Sequence, residues 1–249
     1  MSVPVKIVER KDIPEGMSII QGIPDVGLVG VIATSHIIYK LKMEEIAYID
    51  SDLLPPLIVL YRGLPHSPVR IFRNEKFMAL ISEIAIPVTA LQPIMRAIVD
   101  WMEKKKVSMV FSLGGIAAPN RQDIEKPKVY TVSSDEETLK FLREKKMNVM
   151  EKGFLVGPQA LLLHYCAGRD ISAIALLAES FYNYPDPEAA AAVINALNQL
   201  IEIPVSVTEL LEKGEEIRLK MRDIMRRTQS ELAQMKKARE YDIPSYYVA

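Results

Sequence analysis

Strands and helices alternate over residues 90–200, and this order constrains the fold more than any other feature of the sequence. The predicted elements are, in order, a helix over 91–105, a strand over 107–113, a strand over 128–132, a helix over 134–145, a helix over 158–165, a strand over 171–177 and a helix from 186 to about 201. Alternation of this kind is typical of a sheet covered by helices on both faces. The sequence therefore predicts the α/β class, as a three-layer αβα sandwich with a largely parallel sheet.

The region before residue 90 makes the predicted sheet mixed. A strand at 17–21 leads through a turn-rich loop into a helix over 28–41, which is apolar on nearly every side and is therefore expected to be buried. Four further β-prone runs follow, at 46–49, 57–61, 69–72 and 77–81. Short segments that contain proline, glycine and asparagine separate the last three, which favours hairpins over parallel crossovers.

The character of the chain changes again after Pro204. We expect three parts: the α/β sandwich over 1–204, a charged helical extension over 205–240 and a C-terminal tail over 241–249. The extension carries nine basic and seven acidic residues and contains no proline, so one long helix is predicted. Its thin apolar stripe consists of Ile217, Met221, Ile224, Leu232 and Met235. The stripe either packs back on the domain or forms the contact between subunits of an oligomer.

Composition excludes several classes of function. The 31 basic and 32 acidic residues leave a net charge of −1, so a broad electrostatic affinity for nucleic acid or anionic membrane is not expected. The single cysteine, Cys166, rules out an intrachain disulfide, and the three histidines lie far apart, so neither a metal site nor a cofactor is expected. No apolar run approaches membrane-spanning length, and the first twelve residues lack the core of a signal peptide. These features predict a cytoplasmic protein.

Two glycine motifs lie where ligands often bind in α/β proteins. The loop over 22–30 contains three glycines between a strand and a helix, where free backbone N–H groups can bind an anion. It matches neither the dinucleotide-binding nor the P-loop pattern, and close backbone packing is the alternative. Gly114 and Gly115 end the next predicted central strand, and Asn120 and Arg121 follow. Because ligands gather at the carboxyl ends of parallel strands, Arg121 is a candidate for binding an anion, although the glycines also suit a backbone crossing.

Candidate acid–base residues do not form a catalytic set. Glu83 and Glu179 each follow a predicted strand, as carboxylates in acid–base catalysis can. His164 and Cys166 are close in sequence, but neighbouring residues on a helix point in different directions. Cys166 is therefore interpreted as a small core residue. No nucleophile elbow or zinc-protease motif is present, so we assign no catalytic residue and expect a protein that is not an enzyme.

Aromatic residues are concentrated in two further segments. The loop over 181–187 contains three aromatic residues and two prolines, and it is either an exposed interface or a well-packed turn. The tail over 241–249 follows a highly charged stretch yet contains tyrosines, an isoleucine and a valine. Termini are usually polar and frayed. Such a tail is therefore predicted either to insert in a partner's pocket or to fold back onto its own or a sister subunit.

Short motifs in a consistent order resemble the archaeal branch of the proteasome assembly chaperone family. They are Gly22–Gly30, Ser82–Glu83, Ser112–Ala117, Gly157–Leu162, Leu176–Glu179 and Tyr184–Ala190, and the similarity extends over roughly residues 15–220. The resemblance implies a sandwich related in architecture to purine nucleoside phosphorylases, without a catalytic site or cofactor. It also implies homo-oligomers that bind proteasome α subunits, or a related assembly factor, and assist assembly of the α-ring.

The resemblance also points to partner-binding residues. Members of the family dock through a C-terminal tripeptide of a hydrophobic residue, tyrosine and any residue, which enters pockets between neighbouring α subunits. Here the corresponding residues are Tyr246, Tyr247, Val248 and Ala249. Val248 occupies the position of the family's tyrosine, so Tyr247 matches only if Ala249 is an extra residue, which displaces the carboxylate by up to about 3.5 Å.

A small-molecule-binding protein or an enzyme of nucleoside-phosphorylase-like fold is the alternative to this chaperone interpretation. It rests on the two glycine motifs and on Glu83, Asn120 and Arg121. Binding of nucleosides, phosphate or nucleotides would distinguish it from a non-enzymatic chaperone.

Overall fold

The computed structural model describes residues 5–237. This part of the chain forms the strands β1 (Lys6–Glu9), β2 (Ser18–Gly22), β3 (Glu44–Asp50), β4 (Val59–Tyr61), β5 (Leu64–His66), β6 (Val69–Arg73), β7 (Phe77–Ser82), β8 (Val110–Ala117), β9 (Val129–Ser133), β10 (Asn148–Val149) and β11 (Ala173–Ser180). The same residues form the helices α1 (Val29–Lys40), α2 (Val88–Lys104), α3 (Glu136–Glu144), α4 (Pro158–Ala167), α5 (Pro187–Leu200), α6 (Thr208–Glu212) and α7 (Gly214–Gln234). Short 3-10 turns at Val26–Leu28 and Arg121–Asp123 precede α1 and β9.

Nine of these strands form one mixed sheet in the order β1-β3-β6-β7-β2-β8-β11-β9-β10. The central strands β7, β2, β8 and β11 run parallel. Antiparallel pairing joins β1, β3, β6 and β7 on one side and β9 to β11 on the other, and β10 lies parallel to β9 at the edge. The hairpin prediction is confirmed for β6 and β7. The four parallel strands place their carboxyl ends along one edge of the sheet, beside the loops that follow them.

Helices cover both faces of the sheet, so the predicted α/β sandwich is confirmed. One face packs against α2 and α4 through side chains such as Ile94, Ile98 and Leu162. The other face packs against α1 and α5, whose apolar residues include Ile32 and Ile194. Alternate residues of β11 enter the two clusters, which explains why this strand is apolar along most of its length. The relation to nucleoside phosphorylases stays a prediction.

Strand β8 extends further than its sequence pattern predicts. It continues through both glycines to Ala117, whereas its predicted end is residue 113. At both glycines the neighbouring atoms leave no room for a side chain, so glycine is required in this part of the strand. A Cβ on Gly114 would lie 2.5 Å from Nε2 of Gln159, and one on Gly115 would lie 2.4 Å from the carbonyl oxygen of Val26.

The predicted helix over 205–240 is divided into α6 and α7, which meet at Lys213 and Gly214. Glycine has low helix propensity, which weakens the helix at this point. Strands β1, β5 and β10 have two to four residues each. They are too short to show the alternating pattern from which a strand is predicted.

The apolar stripe of the extension lies on the face of α7 that packs against its own domain. Leu232 is fully buried in the core cluster on the α1 and α5 side of the sheet. Ile217, Met221, Ile224 and Met235 are partly buried against the same cluster. The stripe therefore packs back on the domain, which is one of the two sequence interpretations. Its part in a contact between subunits stays a prediction.

Candidate interaction site at the carboxyl edge of the sheet

The loop that joins β2 to α1 lies at the carboxyl edge of the parallel strands and is closely packed. A Cβ on Gly22 would lie 2.2 Å from the carbonyl oxygen of Gly30, and one on Gly30 would lie 2.1 Å from that of Leu113. Real Cβ atoms do not approach other atoms so closely. The glycines therefore allow α1 to pack directly on β2 and β8, which supports the close-packing interpretation of this motif.

The same loop holds two residues in left-handed conformations. Gly27 has a φ of +61°, and Leu28, which is fully buried, has a φ of +52°. A leucine in this conformation is strained and persists only where neighbouring contacts fix it. Those contacts include a hydrogen bond from Leu28 N to the carbonyl oxygen of Asp25 and one from Asp186 N to that of Gly27, both at 2.9 Å. The loop is thus tied to the segment that precedes α5.

A buried ion-pair network holds the segment before α5. Arg121, which is 3% exposed, donates from Nε and Nη2 to the two carboxylate oxygens of Asp186 at 2.8 and 3.1 Å. It also donates from Nη2 to Glu188 at 2.9 Å and from Nη1 to the carbonyl oxygen of Ile124 at 2.7 Å. Asp186 in turn caps α5 by accepting a hydrogen bond from Ala189 N at 3.0 Å.

This network shows that the interpretation of Arg121 as an anion-binding residue is wrong. All three of its side-chain nitrogens already donate to groups of the same chain, and the guanidinium is buried. Asn120 is exposed and only begins the short 3-10 turn. The sequence indicates Asp186 as the start of a helix, but its pairing with Arg121 spans 65 residues and leaves no local signal.

Glu83 and Glu179 do not form a catalytic pair. Glu83 accepts a hydrogen bond from Arg70, whereas Glu179 accepts from Lys128 N at 2.8 Å and from the Tyr130 hydroxyl at 3.4 Å. The two glutamates lie at the ends of β7 and β11, which are separated by β2 and β8 in the sheet. Three strand spacings correspond to roughly 14 Å, which is too far for joint action on one substrate bond.

His164 and Cys166 occupy different environments on α4. His164 is exposed, whereas Cys166 is fully buried in the core. Burial raises the pKa of the Cys166 thiol to about 12, although the nearby Arg169 acts in the opposite direction. The thiol is therefore protonated at neutral pH, as expected for a core residue.

We expect the native thiol of Cys166 to react with iodoacetamide roughly a thousand-fold more slowly at about pH 8 than the thiol of the unfolded chain. The reason is that burial lowers both the thiolate fraction and the access of the reagent. Mass spectrometry of the alkylated protein over time measures both rates, with the chain in denaturant as the control. Comparable rates in the two states would be inconsistent with the buried position.

A second buried ion pair joins the β2–α1 loop to the end of the extension. Lys237 Nζ lies 3.2 Å from Asp25 Oδ2, and neither side chain is exposed to solvent. The ammonium also donates to the carbonyl oxygen of Val156. Burial raises the pKa of the Asp25 carboxyl, and the Lys237 ammonium opposes that change. On sequence alone Lys237 counts among the solvated charges of the extension, and no pattern separates it from its exposed neighbour Lys236.

The aromatic loop over 181–187 is packed at one end and exposed in the middle. Pro185, Asp186 and Pro187 are buried, whereas the side chain of Tyr184 is 66% exposed. The loop is therefore a packed turn that carries an exposed aromatic residue, and its role as an interface stays a prediction.

Metal-binding clusters and membrane-spanning helices are absent from the part of the chain that the structure describes. Residues 5–237 contain no group of three or more His, Cys, Asp or Glu residues arranged to hold a metal ion. In the same range no helix is both long enough and apolar enough to cross a membrane. The predicted docking residues Tyr246, Tyr247, Val248 and Ala249 lie outside the described range, so their role stays a prediction.

A family match covers most of the chain, since residues 19–225 match the PAC2 family. The chain belongs to the PAC2 family. The uncharacterized protein MJ0106 of Methanocaldococcus jannaschii is 30% identical to it over 243 residues, which are 97% of this chain and 98% of that protein. The matched region includes Asp25 and ends before Lys237, so the two partners of the second buried ion pair lie on either side of its boundary.

Solved structures share the fold of this PAC2-family chain. PbaA of Pyrococcus furiosus, described as an archaeal homolog of proteasome-assembly chaperone, superposes with a TM-score of 0.86 at 30% identity, over 91% of this chain and 99% of PbaA. PbaB of the same organism, described as an archaeal proteasome activator, superposes with a TM-score of 0.72 at 22% identity, over 89% of this chain and 98% of PbaB. The likeness to PbaB concerns the fold alone.

Proposed function

We propose that this PAC2-family chain is a chaperone-like protein that acts in proteasome assembly, forms homo-oligomers, binds proteasome α subunits or a related assembly factor, and catalyses no reaction. The observation that carries the proposal is the similarity to PbaA, which extends over 91% of this chain at 30% identity. Because 99% of PbaA is also covered, the likeness involves the whole of that protein rather than one shared module.

The polar groups at the carboxyl edge of the sheet support a binding role over a catalytic one. In open α/β sheets this edge is where ligands and reactive groups gather. In this chain the buried charges described above are paired with each other, Arg121 with Asp186 and Lys237 with Asp25. Groups that already hold the fold together are not available to polarise or protonate a substrate.

Residues 246–249 are the proposed docking segment. Tyr246 and Tyr247 supply rigid aromatic surface, and tyrosine is enriched among the residues that dominate interface energies. A single short segment binds weakly, but several segments on one oligomer raise the effective concentration of the others once the first is bound. The segment follows Lys237, whose ammonium is buried in the domain.

Deleting residues 246–249 is expected to reduce binding to proteasome α-rings at least about tenfold, because the aromatic anchors are lost while the domain and α7 stay intact. A pull-down of α-rings by the immobilised chain, repeated over a concentration series, measures the change. Tyr39→Ala is the matched control, because it also removes an exposed aromatic side chain but lies on α1 in the domain. Equal binding by the deleted and full-length chains would refute docking through this segment.

A small-molecule function of the nucleoside-phosphorylase kind is the second candidate, and one cleft favours it. An open cleft of about 540 Å³ is lined by α5 and by the segments around β9 and β10. Its lining includes Lys126, Lys128, Lys146, Asn148 and Asn195. Cationic and amide side chains suit a phosphate or a nucleoside. A rise in Tm with either ligand that Lys128→Gln removes would support this candidate, and no rise would leave it without support.

A further inference from the structure

The ammonium of Lys237 lies in a cradle built from two loops. Its direct partners include the Asp25 carboxylate of the β2–α1 loop, at 3.2 Å, and the carbonyl oxygen of Val156 in the loop before α4. A carboxylate and a carbonyl oxygen beside one buried nitrogen are groups expected of a site for a primary ammonium ion.

Gly157 lies beside the lysine side chain, and its backbone conformation favours glycine. Its φ of +95° is one that residues with a Cβ rarely adopt, and a Cβ there would lie 3.6 Å from Nζ of Lys237 and 3.9 Å from its Cδ. Pro158 follows as the first residue of α4. The backbone turn that begins this helix therefore also forms one wall of the cradle.

Separating the buried pair of Lys237 and Asp25 would be unfavourable, so the pair holds the chain at Lys237 in one position. Removing two charges from water is costly, and their attraction compensates only when the remaining polar atoms also find partners. Here neither side chain is exposed, and the carbonyl oxygen of Val156 accepts a hydrogen bond from the ammonium. If Lys237 moved away, Asp25 would be left buried without its opposite charge.

The residues just before Lys237 are also held to the domain. Glu231 accepts a hydrogen bond at 2.8 Å from Val88 N, in the first turn of α2, where unpaired backbone N–H groups favour a carboxylate. Leu232 is fully buried, and Met235 contacts the core clusters on both faces of the sheet. The end of α7 is thus fixed along the edge of the sheet before the chain reaches the cradle.

We propose that this cradle is a latch for the Lys237 ammonium, which fixes the position at which residues 238–249 begin and thereby positions the docking segment. The positioning role rests on the proposed function, whereas the latch itself does not. Residue 246 lies nine residues beyond Lys237. It therefore stays within about 30 Å of the cradle while Lys237 is held there. Confinement of this kind raises the effective concentration of the segment at a partner that already contacts the domain.

Hydrogen exchange measured by mass spectrometry tests the latch on the full chain. Lys237→Met keeps an apolar stem but removes the ammonium, and it is expected to speed exchange of peptides covering 225–237 at least about tenfold, with little change in β8. Lys236→Met is the matched control, because Lys236 is exposed and adjacent, and it should leave exchange unchanged. Equal exchange in the two variants would overturn the latch.

A double-mutant cycle then separates an ion pair from two independent contributions. Asp25→Asn is expected to speed exchange of the same peptides. In the double variant Asp25→Asn with Lys237→Met, the effect should be well below the product of the two single effects, because no charge is left unpaired. An effect equal to that product would show that Asp25 and Lys237 act separately and would overturn the latch.

Acetylation of the unmodified chain tests the latch even if a variant fails to fold. A water-soluble N-hydroxysuccinimide ester should modify Lys237 at least about tenfold more slowly than Lys236, because the ammonium of Lys237 is buried and inaccessible to the reagent whereas Lys236 is exposed. Peptide mass spectrometry gives both rates within one sample. Equal rates at the two lysines would show that the cradle does not hold Lys237.

Binding to α-rings tests the positioning role separately. If the full-length chain binds, Lys237→Met should weaken binding at least about threefold although residues 246–249 are intact. Unchanged binding would overturn the positioning role. If the full-length chain does not bind at all, the proposed function and the positioning role both fail, while the exchange and acetylation results still decide the latch.

Discussion

Replacing Asp186 by alanine is expected to lower the free energy of unfolding by about 3–5 kcal/mol. The carboxylate is fully buried and accepts hydrogen bonds from two nitrogens of Arg121, at 2.8 and 3.1 Å. Its removal leaves a buried guanidinium whose remaining counter-charge is the half-exposed Glu188, and it also uncaps α5. Urea unfolding followed by circular dichroism measures the change.

Asp135→Ala is the matched control for this substitution. Asp135 caps α3 by accepting hydrogen bonds from Thr138 N at 2.7 Å and from the Thr138 hydroxyl at 2.9 Å, but it forms no ion pair with a basic side chain among residues 5–237. Loss of a cap of this kind costs about 1 kcal/mol. If Asp186→Ala cost no more than Asp135→Ala, the buried pair with Arg121 would contribute nothing to stability, and the network would have to be reinterpreted.

Gly30→Ala is expected to lower the free energy of unfolding by about 3 kcal/mol or more, or to prevent folding. In an exposed helix the same substitution is stabilising by about 1 kcal/mol, because alanine has the higher helix propensity. Here the added methyl group would lie 2.1 Å from the carbonyl oxygen of Leu113, a backbone atom that cannot rotate away. Steric overlap therefore makes the substitution destabilising, since α1 would have to move off β2 and β8.

Gly168→Ala is the control for the close packing of α1. Gly168 ends α4 with a φ of −74°, which alanine also adopts, and its added Cβ would lie 3.7 Å from the nearest atom, the carbonyl oxygen of His164. This substitution should stabilise the chain by less than about 1 kcal/mol, because alanine restricts the unfolded state. Similar Tm values for the Gly30 and Gly168 variants would argue against direct packing of α1 on the sheet.

The layers of the sandwich could be predicted because their signals are local. The apolar run in β11 and the helical spacing of apolar residues in α2 each indicate one element without knowledge of its neighbours. The start of α5 is equally local, since Asp186 caps the helix and Pro187 is its first residue. The continuation of β8 through its glycines could not be predicted from local signals. Gln159 and Val26, which leave room only for glycine there, come from other parts of the chain.

The candidate site was less predictable because its pairings are long-range. Arg121 after a central strand has the pattern of an anion-binding residue, and only the folded chain brings Asp186 to it from 65 residues away. Lys237 pairs with Asp25 from the opposite end of the domain's sequence. A lysine in a charged helical segment has the same sequence signature whether it is solvated or buried, so the sequence could not predict this pair.

Analytical ultracentrifugation of the full-length chain with proteasome α-rings tests the central proposal most directly. The chain, the α-rings and their mixture are compared at micromolar concentrations, and the mass of the free chain is obtained in the same experiment. We expect the free chain to sediment as a homo-oligomer and the mixture to contain a faster species that includes both proteins. Two unshifted boundaries in the mixture would contradict a role in proteasome assembly through binding of α subunits.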